Sequence, residues 1–276
     1  MENGKKVLDI GTLNGPLLVF GGSYSNLQSL EKMRSIASDL GIPPSNVIHT
    51  GDVVGYCAQP EEVVQAVREW GIHVIAGNVE TQLAEGQTDC GCEFAEGSRC
   101  DIFSLQWFPF AQKRLSGASI AWMDALPDFI RFSYAGRQGL VVHGSWFKTA
   151  EYVFESSPWE VKARNFQDAD VDLVLAGHCG LPFSEEGPDG VWLNPGVIGM
   201  PANDGTPLVW YMVLDDQGGL RWEHLSFEYD HDRAAGLMAA EPLPQAYAKT
   251  LVTGVWDNCE ILPEVETEAQ GVRIAL

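Results

Sequence analysis

The sequence predicts an α/β fold, and three observations carry that expectation. First, short apolar runs stop at or just before glycine: Leu17-Leu18-Val19-Phe20, Val47-Ile48-His49-Thr50, Ile72-His73-Val74-Ile75-Ala76, Leu140-Val141-Val142 and Leu173-Val174-Leu175-Ala176. Runs of this length bounded by glycine read as buried strands. Second, the first two runs are followed by segments whose apolar residues recur at helical spacing. Third, the residues able to do chemistry stand where the runs stop: Asp52, Asn78, His143 and His178. Sheets of α/β proteins bind ligands at the carboxyl ends of their strands.

Taken in order, Asn26 can cap a helix carrying Leu27, Leu30, Met33, Ile36, Ala37 and Leu40, stopped by Gly41 and Pro43. Pro60 opens a second helix carrying Val63, Val64, Val67 and Trp70, stopped by Gly71. Residues 82–115 read as a polar, glycine-rich, irregular insertion, a candidate lid or substrate wall. Ile120, Met123 and Leu126 predict a short helix ended by Pro127. Phe129 to Phe132 and Leu140 to Val142 flank Gly136 as in a hairpin, and Pro207 to Leu214 and Leu220 to Phe227 form a second hairpin around Gln217-Gly218-Gly219. After Tyr229 come two short helices, Arg233 to Ala240 and Gln245 to Val252, then a loose acidic end. The expected organisation is one domain over 1–276, with its core at about 16–229 and a helical C-terminal extension over 230–276. The sequence shows no internal repeat.

One carboxylate, one amide oxygen and two imidazoles form a mixed oxygen and nitrogen ligand set suited to a divalent metal. Each has an ordinary alternative when taken alone. Asp52 after Gly51 and Asn78 after Gly77 fit turns, and a lone histidine at a strand end is more often simply hydrogen-bonded than metal-bound. Their joint occurrence at successive strand ends favours ligation. His49, His73, His224 and His231 lack such context and read as structural or exposed. Trp146, beside His143-Gly144-Ser145, could stack on a base, but packing is the commoner role. Gly21-Gly22 could let a phosphate approach backbone amides, or form a tight turn.

The order Gly51-Asp52 with Gly55, Gly77-Asn78, His143-Gly144, Gly177-His178 and Asn194-Pro195-Gly196 resembles the calcineurin-like metallophosphoesterases, over about residues 16–201. It is most similar to their small bacterial phosphodiesterase and dinucleoside-polyphosphate hydrolase branch. The resemblance implies a sandwich of two mixed β-sheets flanked by helices. It also implies Asp52, Asn78, His143 and His178 as ligands of one metal, with Asp52, His143 and His178 at the centre of catalysis.

The departures from that family fall on its other metal. Gly22 stands where the family has an aspartate, Tyr24 where it has a histidine, and Gly180 where the last histidine would be. Val79 replaces the general-acid histidine. The resemblance therefore implies one complete metal site, for a single manganese, iron or zinc ion. Tyr24, Glu80 and Cys179 are candidates for a replacement proton donor or extra ligand. Two activities follow as expectations. One is a phosphoric ester hydrolase acting on a phosphodiester, nucleotide or phosphoanhydride through water activated by one metal. The other is a catalytically impaired phosphoesterase-like protein that binds a ligand or partner in the old cleft.

Composition limits the partners. A formal charge of −21 disfavours a nucleic-acid backbone and an anionic membrane surface. It does not disfavour a small phosphate-containing substrate, because a bound cation reverses the local field. With no apolar run of membrane-spanning length and no apolar core behind Met1 to Lys6, the expectation is a cytoplasmic protein, as a monomer or a homo-oligomer. Cys90-Gly91-Cys92 and Cys100 are too few for a structural zinc site unless Cys57 or Cys179 folds in. A redox-active pair is a comparable alternative, and a loop of free thiols is the plainest one.

Overall fold

A computed structural model describes residues 4–92 and 94–276. The first three residues, read above as part of a start without an apolar leader, and residue 93 of the expected insertion lie outside the described residues. Eleven strands are present among those described: β1 (Val7–Thr12), β2 (Leu17–Phe20), β3 (Val47–His49), β4 (His73–Val74), β5 (Phe129–Tyr134), β6 (Arg137–Val141), β7 (Leu173–Leu175), β8 (Pro182–Gly187), β9 (Gly190–Pro195), β10 (Val209–Asp215) and β11 (Arg221–Phe227). Nine α-helices accompany them: α1 (Leu27–Asp39), α2 (Pro60–Trp70), α3 (Asn78–Ala84), α4 (Arg99–Arg114), α5 (Gly117–Asp124), α6 (Trp159–Ala169), α7 (His231–Ala239), α8 (Gln245–Thr253) and α9 (Glu264–Glu268).

The strands form two mixed sheets, ordered β1-β5-β6-β7-β9-β8 and β11-β10-β2-β3-β4. Side chains alternate along each strand, so each sheet has an inner and an outer face. Leu17, Val19, Ile48, Met212 and Leu214 of the smaller sheet meet Ile130, Val141, Leu173, Leu175 and Leu193 of the larger one, which makes the sandwich interior. Leu18, Phe20 and Val47 turn outward and are covered by α1, α2, α4, α7 and α8. Leu140, Val142 and Val174 turn out on the other side beneath Phe166 and Ala169 of α6. An isolated parallel bridge between Gly21 and Val197 ties the two sheets at the edge where β2, β3, β6 and β7 end.

The expected helices and hairpins form. Asn26 caps α1 by accepting from the Ser29 amide, and Gly71 ends α2 in a left-handed conformation. The segment 82–115 differs from its expected irregularity. Nearly half of it is α4, a sixteen-residue helix beside α2 with Phe103, Trp107, Phe108 and Phe110 buried in the core on the outer side of the smaller sheet. The spacing 103, 107 and 110 is helical, and Ser98 caps the start by accepting from the Asp101 amide. Pro109 and the preceding cysteine- and glycine-rich stretch mask that signal. The tail also differs from its expected looseness. Trp256 Nε1 donates to Pro201 O at 2.8 Å, the Trp256 amide donates to Asn203 Oδ1 at 2.8 Å, and Gly271 N donates to Asn203 O at 2.8 Å. Among the described residues no helix is long and apolar enough to cross a membrane.

Candidate metal centre

Three loops and the start of a helix bring the expected residues together. Asp52 lies three residues beyond β3, His143 two beyond β6, and His178 three beyond β7, while Asn78 is the first residue of α3. Because these strands run parallel within their sheets, their carboxyl ends deliver these side chains to the same edge. All four are buried.

The local backbone is built for close approach. Asp52 and His178 are left-handed, at φ 60° and 62°, and so are the neighbouring Tyr24 and Ser25. Such residues cost roughly 1–3 kcal/mol each and persist where their surroundings over-determine them. Here the surroundings do. Tyr24 N donates to Asp52 O at 3.3 Å, Ser25 N to Val53 O at 3.0 Å, and Gly55 N to Ser25 Oγ at 3.1 Å. Glu80 binds the same loop from α3, accepting from the amides of Asp52 (2.8 Å), Gly77 (2.9 Å) and Val54 (3.2 Å). A Cβ on Gly77 would lie 2.3 Å from Asp52 Oδ1, so only glycine lets α3 come this near. On the opposite loop, Asn194 Nδ2 donates to Gly177 O at 2.9 Å and fixes the turn that carries His178.

The centre of the arrangement is His143 Nε2. It lies 3.2 Å from Asp52 Oδ2, 3.0 Å from Asn78 Oδ1 and 3.1 Å from His178 Nδ1. Its other ring nitrogen, Nδ1, donates to Thr50 O at 2.7 Å. A carbonyl only accepts, so Nδ1 carries the hydrogen and Nε2 of a neutral ring offers a lone pair. The amide orientation of Asn78 is settled in the same way. Nδ2 donates to Cys90 O at 2.7 Å, which turns Oδ1 toward His143. Burial, and then the charge on His143, push His178 down to about 3, so this ring is neutral at physiological pH.

Lone pairs of a carboxylate, an amide and two imidazoles thus converge on one point. Such an array needs a cation or a proton at its centre. Without a metal, burial lowers His143 but the Asp52 carboxylate outweighs it and raises the ring, while His143 in turn lowers Asp52 against its own burial. With a divalent ion the same atoms are free as ligands. Asp52, His143 and His178 offer one ligand atom each within 4.8 Å of one another, and they form a group that could hold a metal ion. The donor set fits that role. The bond from Nδ1 to Thr50 O is the kind of outer contact that orients a metal-binding histidine.

The accessory candidates separate. Glu80 serves the backbone of the Asp52 loop, and burial together with Asp52 pushes it up to about 7. Tyr24 is buried, and its ring occupies the space over Gly22 and Gly55, where added Cβ atoms would lie 2.5 and 2.9 Å away. Burial first, then Asp52, raise its phenol well above the ordinary value, so it keeps its proton. Cys179 Sγ accepts from Asn194 Nδ2 at 3.2 Å and donates to Leu181 O at 3.6 Å, and burial lifts its thiol to about 12. Val79 is buried beside Asp52, its amide 3.4 Å from Asp52 Oδ1.

His49 is structural, as expected, and buried. Its Nδ1 accepts from Gly51 N at 3.1 Å, and its Nε2 donates to Ser23 Oγ at 2.7 Å. Trp146 packs against Phe129 and donates to Asp168. The sequence reading passed over Tyr152, whose ring lies against His178 with centroids 4.3 Å apart, and the Thr50 carbonyl that orients His143. Neither belongs to a motif. Cys90 and Cys92 stood out by their spacing alone, but their contact with Asn78 is visible only in three dimensions. A cavity of about 210 Å³ reaches Asn78 from the surface between Thr81, Gln82, Gly91 and Lys148. Another, of about 250 Å³, lies under the C-terminal residues at Phe154 and Phe183 and touches none of the four.

Two sheets whose strand ends present an aspartate, an asparagine and two histidines define a phosphoesterase fold. Residues 23–218 match the calcineurin-like phosphoesterase superfamily domain, and the chain belongs to that superfamily. It is similar to an uncharacterized protein of Methanocaldococcus jannaschii, 25% identical over 257 residues, covering 86% of this chain and 98% of the relative. Two crystal structures share the fold. A hypothetical protein of Pyrococcus horikoshii superposes with a TM-score of 0.73 at 17% identity, covering 87% of this chain and 99% of the other. A metallophosphoesterase of Sphaerobacter thermophilus gives 0.68 at 23% identity, covering 88% and 100%.

Proposed function

We propose that this chain is a phosphoric ester hydrolase that works with one divalent metal ion, held by Asp52, Asn78, His143 and His178. The observation that carries the reading is the convergence of three further ligand atoms on His143 Nε2 at 3.0–3.2 Å. A divalent ion bound there supplies Lewis acidity toward a phosphoryl oxygen and toward water. The remaining work falls to the protein. Thr50 and Glu80 hold the histidine and the aspartate loop in place, so little reorganisation is needed on binding. The cavity beside Asn78 is the approach for a small substrate, and Lys148 on its wall supplies positive charge in a strongly acidic chain. The charge of Lys148 is felt as far as His178, where it helps keep the ring neutral.

Position 79 carries no proton, so leaving-group protonation is the weak step. The nearby Tyr24 retains its proton, but burial and Asp52 raise its phenol so far that it is a weak acid and offers little help. Anhydrides and activated diesters need that help least. Substrates of the phosphodiester, nucleotide or phosphoanhydride classes therefore suit the site better than alkyl monoesters.

A second reading has its own observation. The Tyr24 ring packs over Gly22, the position at which the family resemblance would put a ligand of a second ion, and the four ligand residues are all buried. Both features favour a protein that binds a phosphate-containing ligand without turning it over. Manganese(II) titration by calorimetry, with bis(p-nitrophenyl) phosphate hydrolysis assayed on the same preparation, separates the two. Stoichiometric binding with turnover supports the hydrolase. Binding without turnover supports the ligand-binding reading, and no binding overturns the metal centre itself.

A further inference from the structure

Cys90 and Cys92 lie against the metal centre. Both are buried, at 2% and 6% exposure, and their Sγ atoms are 3.1 Å apart. That is about 1 Å longer than a disulfide bond. Gly91 between them has φ 70°, a left-handed turn in a loop that brings both sulfurs to the same side. The pair also holds Asn78: Nδ2 donates to Cys90 O at 2.7 Å and to Cys92 Sγ at 3.1 Å. These two bonds are what aim Oδ1 at His143 Nε2. Gly91 and Asn78 both border the 210 Å³ cavity, so a small reagent can come close to the pair. Zinc does not account for the thiols. Cys100 Sγ bonds to Asn258 Oδ1, and the one metal-competent group found among the described residues contains no cysteine.

We propose that Cys90-Gly91-Cys92 is a dithiol modification site that a hydroperoxide closes to an intrachain disulfide, and that its redox state sets the grip of Asn78 on the metal. The second half rests on the reading of Asn78 as a ligand. The reaction balances with hydrogen peroxide as the two-electron oxidant. One sulfur attacks a peroxide oxygen, the O–O bond breaks, and the sulfur becomes a sulfenic acid as one water leaves. The second sulfur then attacks the sulfenic sulfur, the S–S bond forms, the S–O bond breaks, and the hydroxyl leaves with the second thiol proton as water. Two thiols and one peroxide give one disulfide and two waters. The closed pair draws Cys92 Sγ toward Cys90 and makes it a poorer acceptor. Asn78 then loses one of the two bonds that orient its carboxamide. Loss of such outer contacts typically weakens metal affinity 10–100-fold.

The test uses the full chain, reduced and then exposed to stoichiometric hydrogen peroxide, with peptide mass mapping and manganese(II) calorimetry on the same samples. The expected result is a loss of two hydrogens on the peptide carrying Cys90 and Cys92, reversed by dithiothreitol. Manganese affinity should fall on the order of tenfold and recover on reduction. Cys90→Ser should give no such peptide, and its affinity should not respond to peroxide. If the pair stays reduced while Cys100 or Cys259 reacts, the modification site is overturned. If the disulfide forms and affinity does not move, the coupling to Asn78 is overturned. If the reduced chain binds no manganese, the metal reading fails, while the mass map still decides the dithiol.

Discussion

The Glu80 carboxylate accepts the backbone amide of Asp52 at 2.8 Å, so a residue of helix α3 fixes a loop twenty-eight positions earlier in the chain. Two further amides, from Gly77 and Val54, meet the same carboxylate. All three partners are donors. Glu80→Gln places an amide NH₂ against a backbone N–H, and a buried donor left without an acceptor costs roughly 1–3 kcal/mol. Urea unfolding should show a loss of that size. Manganese affinity should fall as well, because the variant leaves the Asp52 loop less firmly held.

His178→Ala should abolish metal binding and hydrolysis while the fold survives. The side chain lies at a strand end and not in the sandwich interior, and its ring contacts are to His143 and Tyr152. Circular dichroism checks the fold, and elemental analysis checks the metal. Full metal occupancy in the variant would show that the ligand assignment is wrong.

Wild-type protein should carry about one divalent ion per chain, since the proposed ligand set of Asp52, Asn78, His143 and His178 holds one. Elemental analysis on protein purified without chelator decides this. Two tightly held ions at the cleft would mean that Tyr24, Glu80 or another residue completes a second site.

Activated aryl phosphodiesters and phosphoanhydrides should turn over faster than alkyl monoesters, by on the order of 10²-fold or more, since a general acid is worth about that much to a poor leaving group. A series of esters graded by leaving-group pKa measures the dependence. A flat series would identify an efficient proton donor, with Tyr24 the first residue to replace.

The combined variant Gly22→Asp, Tyr24→His, Val79→His and Gly180→His should bind a second ion and gain activity on the order of 10²-fold over wild type. Replacing Tyr24 removes the ring that a Cβ at position 22 would strike at 2.5 Å. Position 180 has φ 81°, and a Cβ there would lie 3.4 Å from the Trp256 ring, so some loss of stability comes with the gain. Two bound ions without any phosphoesterase activity would favour the ligand-binding reading.

Stability should fall as pH drops below about 6.5. Burial lowers His49 from 6.5 to about 3 in the folded chain. The unfolded chain therefore takes up a proton that the folded one refuses, and stability lost in this window is about 1.4 kcal/mol per pH unit for this group. His178 adds to the slope in the same direction, and Glu80, raised to about 7, offsets part of it because the folded chain takes up that proton first. Urea unfolding at pH 6.5 and pH 5 in the presence of chelator, compared with His49→Gln, measures the share due to His49. An unchanged slope in that variant would show that His49 does not titrate as its surroundings imply.

The class of fold, the capped helices α1 and α2, both hairpins and the four residues that meet at the strand ends can all be read from the chain of residues alone. These are legible because period, caps, glycine stops and turn residues are local, and because parallel strands carry their carboxyl ends to one edge whatever lies between. Tertiary structure decided what local signals do not encode. Strand β1 is mostly exposed and carries Asp9 and Gly11, and it exists because β5 pairs with it. Helix α4 is stabilised by the core it joins beside α2, despite Pro109. The roles of Glu80, Tyr24 and Cys92 depend on which atoms face them across gaps of 14 to 28 residues in the chain. An amide, a ring and a thiol have no meaning as partners until packing brings them within hydrogen-bonding distance, and that distance is set by the fold as a whole.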